Sequence, residues 1–421
     1  MLNITDEQKA LFDNDIGNKE IRLELSKGNK KYVIFNDNII SESMELNEGL
    51  STEKTIRYGQ CFSSKFSIDI FNIRDKFGSD KEFIGYNIKV YISIKNPREY
   101  IYPNNIIYPS NTDIYPNWTS EGVELPLFVG VIQDSILDDN RNTRKLIAYD
   151  VLYFKLNTDV SDLYWNDFLE NGRSAKYIRE TILSHLGIEY EHVELSNDNV
   201  SFGNFTFEER KNVIITARKA LESILEICGC FGHINRYGIF TFKELSKTYF
   251  NYPSLQTNPL VKYPTGTLYL GRQREEANLI TKYIQTYIKC KYGQNNIKSI
   301  TGVQFIKNNN IIIDQKILSN DNVYISKGNI YLEYFAEGLS GISSYISNAL
   351  YQQISNIIYM PAQLQLSGKP YLEVGDYVEI DINNDDTYKI SFPILQRTLK
   401  GIQSLRDTFE AKGEEYRKQN Y

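Results

Sequence analysis

The spacing of apolar positions along this chain changes twice, from two to about 3.6 and back. Through the first third it is two. Ile21, Leu23 and Leu25 alternate with Arg22 and Glu24, and Tyr32-Val33-Ile34-Phe35 follows a Lys-Gly-Asn turn. Phe62, Phe66, Ile68 and Ile70 keep largely to one parity. Ile88, Val90, Ile92 and Ile94 alternate with Lys89, Tyr91, Ser93 and Lys95 after Gly85. Successive side chains of a strand point to opposite faces, so each run predicts a strand with one buried face. Two further strands, 127–132 and 145–150, flank the polar turn 138–142. Short strands joined by such turns predict a barrel or sandwich.

In the middle the period becomes helical. Ser174 is placed to cap a helix carrying Ala175, Ile178, Ile182 and Leu186, which stops at Gly187. A second helix is predicted over 216–228, with Ala217, Ala220, Leu221, Ile224 and Leu225 on one stripe. Segments 231–234 and 239–242 then flank Asn235-Arg236-Tyr237-Gly238, a hairpin connection with glycine last. The last third returns to strands. Ile280, Ile284, Ile288 and Cys290 read as a strand on their β-branched content, and 300–330 as short strands with Asn-rich turns. Ile342, Ile346, Leu350 and Ile354 define a helix at about 340–358, broken by Pro361. Beyond it, Ala362, Leu364 and Leu366 alternate with glutamines, and Gly375-Asp376 leads into Val378, Ile380 and Ile382. A final strand, 390–399, runs into a highly charged tail after Ser404.

These changes divide the 421 residues into a β-rich unit at 1–156, a small α+β unit at 157–250 and a second β-rich unit at 251–421. The first carries an insertion at 96–126 with five prolines and the aromatics Tyr100, Tyr102, Tyr108, Tyr115 and Trp118. Proline keeps it out of a central strand, and its aromatic content suits an ordered arm packed on its own unit or on a neighbour.

Composition narrows the function. A balance of 47 Lys+Arg against 53 Asp+Glu, net −6, argues against a dedicated nucleic-acid surface. No apolar stretch is long enough to cross a bilayer, and the N-terminus lacks the pattern of a secretion signal, so a soluble, cytoplasmically made protein is expected. Four cysteines fit a reducing compartment rather than a disulfide framework. The 32 tyrosines and 21 phenylalanines suit strands and partly wet subunit interfaces.

Catalytic signatures are missing. There is no glycine-rich dinucleotide turn, phosphate loop or nucleophile elbow. Cys228, Cys230 and His233 are too few for a structural zinc site, and a helix end followed by a buried strand explains them. The run Asp381 to Asp386 starts like a calcium loop, but Asp386 stands where glycine is required and Phe392 where the closing glutamate belongs. Asp134, Asp150 and Glu373 are carboxylates whose separation sequence cannot give, so none is assigned to sugar hydrolysis. The expectation is no catalytic residue, no cofactor and no metal.

Three stretches together carry a pattern. The first is 44–70, with Ile56-Arg57-Tyr58-Gly59 and Ser63-Ser64-Lys65-Phe66-Ser67-Ile68. The second is the out-and-back hairpin from Gly130 to Asp150. The third is Gly368-Lys369-Pro370-Tyr371-Leu372-Glu373-Val374-Gly375-Asp376, followed by Leu395-Gln396-Arg397-Thr398-Leu399-Lys400-Gly401. In this order, with helix 216–228 and its hairpin between them, they resemble the baseplate hub proteins of contractile phage tails and tail-like bacteriocins, particularly those of Gram-positive hosts. The resemblance implies an α+β, predominantly β chain with two similar tube-type β-barrel domains flanking the small α+β domain. It implies a non-enzymatic homotrimer whose six barrels form a pseudo-sixfold ring between the sixfold tail tube and the threefold spike. Tube, spike and other baseplate components would be its partners, and DNA could pass through an acidic lumen. Cell-wall digestion would fall to another chain.

Two other readings stay open. One is the tip protein of a non-contractile tail, which shares the hub fold. The other is a carbohydrate-active cell-wall enzyme with Tyr102, Tyr115 and Trp118 lining a groove. A cell-surface adhesin is a third option that the missing export signal disfavours.

Overall fold

The computed structural model describes residues 2, 4–13, 18–51, 56–72, 82–95, 123–202, 213–245, 282–284, 286–293, 297, 299–307, 311–319, 322–332, 340–355, 357–381 and 389–413. Eleven strands, numbered in chain order, build one large sheet. They are β1 (Asn18–Lys27), β2 (Lys30–Phe35), β3 (Glu45–Gly49), β4 (Lys65–Phe71), β5 (Asn87–Lys95), β6 (Val123–Leu137), β7 (Thr143–Tyr149), β8 (Lys289–Tyr292), β9 (Ala362–Ser367), β10 (Gln396–Lys400) and β11 (Arg406–Ala411). Their order across the sheet is β8-β9-β11-β10-β3-β4-β7-β6-β5-β1-β2. All ten pairings are antiparallel.

Alternation explains the first seven strands. Ile21, Leu23 and Leu25 of β1 lie opposite Ile92, Val90 and Ile88 of β5, all buried. Phe66, Ile68 and Ile70 of β4 continue the same face, with Phe66 stacked on Phe128 of β6 at a centroid distance of 5.5 Å. The opposite face is polar and carries both signs. Arg22 pairs with Glu24 and Glu124, and Lys400 pairs with Glu45.

The first and last thirds meet at β3 and β10, where Leu46 faces Leu399 and Glu48 faces Arg397. The two expected barrels therefore enter a single sheet, and neither ladder closes among the described residues. The sheet does curl. Ile39, beyond β2, makes an isolated bridge to Ile70 of β4, and Lys19 at the start of β1 exchanges hydrogen bonds with Gln403 in the β10–β11 turn.

Three predicted elements differ. The strand expected through Ile284 and Cys290 is two strands in two sheets: Lys282–Ile284 pairs in parallel with Tyr377–Asp381, whereas β8 pairs with β9. The strand expected over 390–399 is likewise two. Lys389–Pro393 pairs with Tyr377–Asp381, and the chain then turns at Ile394 and Leu395 to enter β10. The charged tail after Ser404 begins with β11, whose Asp407, Phe409 and Ala411 face the core. A carboxylate at a core position hid the alternation.

The helices are where their caps place them. Ser174 Oγ accepts from Tyr177 N ahead of Ala175–His185 (α3), and Thr216 Oγ1 from Lys219 N ahead of Ala217–Cys228 (α4). Shorter helical segments precede them. The first, α1, is Asp6–Asp13, and α2 is Val151–Lys155. The last helix, α5 (Ser340–Ile354), packs over the strands Gly302–Lys307 and Ile311–Ile317. Phe231–Ile234 and Phe240–Lys243 form the predicted hairpin.

Candidate functional site

Charged side chains are buried together where β3, the 231–243 hairpin and the last third of the chain converge. Arg397 is the second residue of β10, with its side chain fully buried. Its Nε and Nη2 donate to Asp407 Oδ1 and Oδ2 of β11 at 2.8 and 3.0 Å. Its Nη1 donates to Glu48 Oε2 at 3.2 Å and to the Leu372 carbonyl at 2.6 Å. Its Nη2 also reaches the Lys369 carbonyl at 3.1 Å. Five contacts match the five donors of a guanidinium. Bidentate pairing with a carboxylate is the strongest form such a contact takes.

Arg236 brings the hairpin to the same place. It lies in the hairpin turn, donates to the carbonyls of Pro370 and Leu372, and sits 3.6 Å from Glu48 Oε2. Asp407 Oδ2 also accepts from Lys369 N at 2.7 Å. One turn, 369–372, is thus held by two arginines and a carboxylate from three elements. Burial alone would lower the Arg397 pKa, but Asp407 and Glu48 outweigh it and raise the guanidinium above the ordinary arginine range. Burial lowers that of Arg236, with Glu48 opposing and Arg397 adding to the shift.

The turn itself is set by Gly375 and Asp376. Gly375 has φ +88°, a left-handed conformation that suits glycine. Asp376 Oδ2 accepts from Glu373 N at 2.8 Å, and the Asp376 carbonyl accepts from Ile394 N. Gly59 fixes a second junction. It has φ +87°, and a Cβ there would stand 2.2 Å from the Glu222 carbonyl oxygen of α4. Glu226 on the same helix is buried and accepts from Tyr324 Oη and Asn329 Nδ2 at 2.8 and 2.9 Å. Burial pushes its carboxyl up.

The carboxylates that sequence could not assign fall on three different elements. Asp134 is exposed beside a bulge of β6. Asp150 is buried and caps α2: it accepts from Leu152 N at 3.0 Å, Ser63 Oγ at 2.8 Å and Ser64 N at 2.6 Å. Burial raises it to about 6 against those hydrogen bonds. Glu373 is buried, which would raise it, but Lys243 and Arg236 lower it to about 2.

Cys228, Cys230 and His233 are all buried. Burial, helped by Lys243, lowers His233 to about 3, so its ring is neutral near pH 7. No group of three or more His, Cys, Asp or Glu converges in metal-binding reach among the described residues. Tyr102, Tyr115, Trp118 and the rest of 96–122 lie outside the described residues, as do 382–388 of the calcium-like run and the tail beyond 413. Sequence reasoning singled out the motifs around Lys369 and Arg397 but not their pairing with Glu48 and Arg236. An arginine inside the strand expected over 390–399 was the available signal.

Among the described residues the sheet ends in two open edges, β2 and β8. Val33 and Phe35 are exposed on β2, and Ile288 and Tyr292 at β8. Each edge also carries two exposed lysines, Lys30 with Lys31 and Lys289 with Lys291. Lysines on an edge oppose indiscriminate strand pairing.

No protein-family model matches the chain, and no curated protein does. Several solved structures are similar to it. A 43 kDa tail protein of prophage MuSo2 from Shewanella oneidensis shares 10% identity at a TM-score of 0.47, over 95% of this chain and 97% of that one. The tail protein from Neisseria meningitidis MC58 shares 9% at 0.46, over 93% and 95%. A chain of the phage P2 baseplate in its activated conformation shares 12% at 0.29, over 94% and 99%.

Proposed function

We propose that this chain is a structural, non-enzymatic baseplate hub of a contractile tail. Three copies would form a pseudo-sixfold ring that joins the sixfold tail tube to the threefold spike. The observation that carries the reading is the meeting of both ends of the chain in one curled sheet at β3 and β10. Each copy then offers two linked β units, β1 to β7 on one side and β8 to β11 on the other, with the small α+β unit clamped against the joint by Arg236. The order of the sequence motifs supports the same reading, since the first supplies Glu48 and the third supplies Arg397 and the 369–376 turn.

A rigid joint suits such a ring, because closed symmetry demands one fixed angle between units. Large obligate interfaces would hold the trimer, on the order of 2,000 Å² or more per pair. The lysine-bearing edges favour neighbours that present acidic side chains there. The polar face of the sheet carries both signs, so a lumen lined by it would present DNA with a less uniformly acidic surface than net charge suggests.

Mass measurement of the purified chain, alone and with its tube and spike partners, tests the assembly. Three copies at the tube–spike junction of the imaged particle are expected; another stoichiometry or position overturns the proposal. Incubation with cell-wall glycans should release no sugar ends, and sustained release would point to the enzyme reading.

A further inference from the structure

Beneath the charged junction lies a small cavity, with about 10 Å³ open to the centre of a water molecule. Glu48 of β3, Ser64 ahead of β4, Asp150 at the cap of α2 and Arg236 of the hairpin line it, with Leu127 and Phe128 among its apolar walls. Two of these polar residues are incompletely satisfied. Arg236 Nε and Ser64 Oγ are buried without a hydrogen-bond partner, in residues 2% and 3% exposed. Buried polar atoms in native proteins are nearly always paired, and an orphan beside a polar cavity points to a small bound group. The space is about one water sphere, and a buried water needs two to four polar partners.

The lining decides which group fits. Glu48 and Asp150 repel an anion. The Arg236 guanidinium repels a cation. A neutral molecule that both accepts and donates meets every partner at once.

We propose that one ordered water occupies this cavity, accepting from Arg236 Nε and donating to a carboxylate of Glu48 or Asp150, with Ser64 Oγ as its further partner. The contact between hairpin and first β unit is then partly solvent-mediated. Water bridges of this kind are nearly as favourable as direct hydrogen bonds. The inference stands on the cavity and its orphaned atoms, independently of the hub reading.

A crystal structure of the full chain at a resolution that shows ordered water tests it. Density within hydrogen-bond distance of both Arg236 Nε and Ser64 Oγ is expected. Ser64→Val, which fills the space and removes a partner, should abolish that density and remove one long-lived water from oxygen-17 relaxation dispersion in solution. An empty cavity in the wild type overturns the proposal, as does Arg236 turned to pair directly with Asp150. Bromide occupying the site after a soak overturns it too, since that identifies an anion site. Should Ser64→Val not fold, the wild-type density alone decides.

Discussion

Across β1 and β5 the buried face of the large sheet stacks Ile21 on Ile92, Leu23 on Val90 and Leu25 on Ile88. Across β3, β10 and β11 the same face presents Glu48, Arg397 and Asp407. Apolar contact is non-directional, so a two-residue slip in the first region would still bury aliphatic side chains. In the second region a slip would strand a guanidinium or a carboxylate without a partner, which costs several kcal/mol. The first region supplies burial, and the second makes one register the acceptable one.

Arg397→Ala should break the comparison most sharply. It leaves Asp407 without a cationic partner in the interior and Glu48 with Arg236 alone, and a loss of about 3–5 kcal/mol is expected in urea unfolding. A loss under about 1 kcal/mol would mean the network clamps nothing. Replacing the pair together, Arg397→Met with Asp407→Leu, should recover much of that stability while broadening amide hydrogen exchange across β10.

The next effect is pH dependence at Asp150. Its folded pKa of about 6 lies above the ordinary carboxylate value, so the folded state holds the proton more tightly. Its contribution is therefore present at low pH and is lost as pH rises through 6, by up to roughly 3 kcal/mol. Asp150→Asn should flatten the stability profile between pH 4 and 6. Glu373 runs the other way: its pKa is lowered to about 2, and its contribution disappears as pH falls below the ordinary glutamate range. An unchanged slope in the Asp150 variant would show that its hydrogen bonds outweigh burial.

Ile92→Val samples the apolar region and should cost only about 1 kcal/mol, without altering exchange elsewhere. A cooperative loss of the charged junction in that variant would erase the distinction between the two regions. Thr216→Ala removes the α4 cap and should cost about 1 kcal/mol, read from the thermal midpoint.

Legibility followed the range of the interactions. Strand β5 and helices α3 and α4 announce themselves because their period and caps lie within a dozen residues. The split of 390–399 into two strands did not, because Phe392-Pro393-Ile394-Leu395 is apolar throughout and hides a change of sheet. The charged junction was half legible. Its turn and its arginine stood in recognised motifs, yet the Glu48 contact spans 349 residues and no local pattern announces it. Helix α1 was missed because it is short and polar and gains its order from distant partners. Asp13 accepts from Lys282, Lys369 and Tyr371.

That last contact has a bearing on biosynthesis. Asp13 leaves the ribosome roughly 18 to 70 s before Tyr371 at ordinary elongation rates. During that interval β3 also lacks β10, so one flank of an almost complete half-sheet stays bare on the nascent chain. Premature termination anywhere before β10 would release a fragment with that flank unprotected, a ready substrate for chaperones and a poor candidate for incorporation into any larger particle.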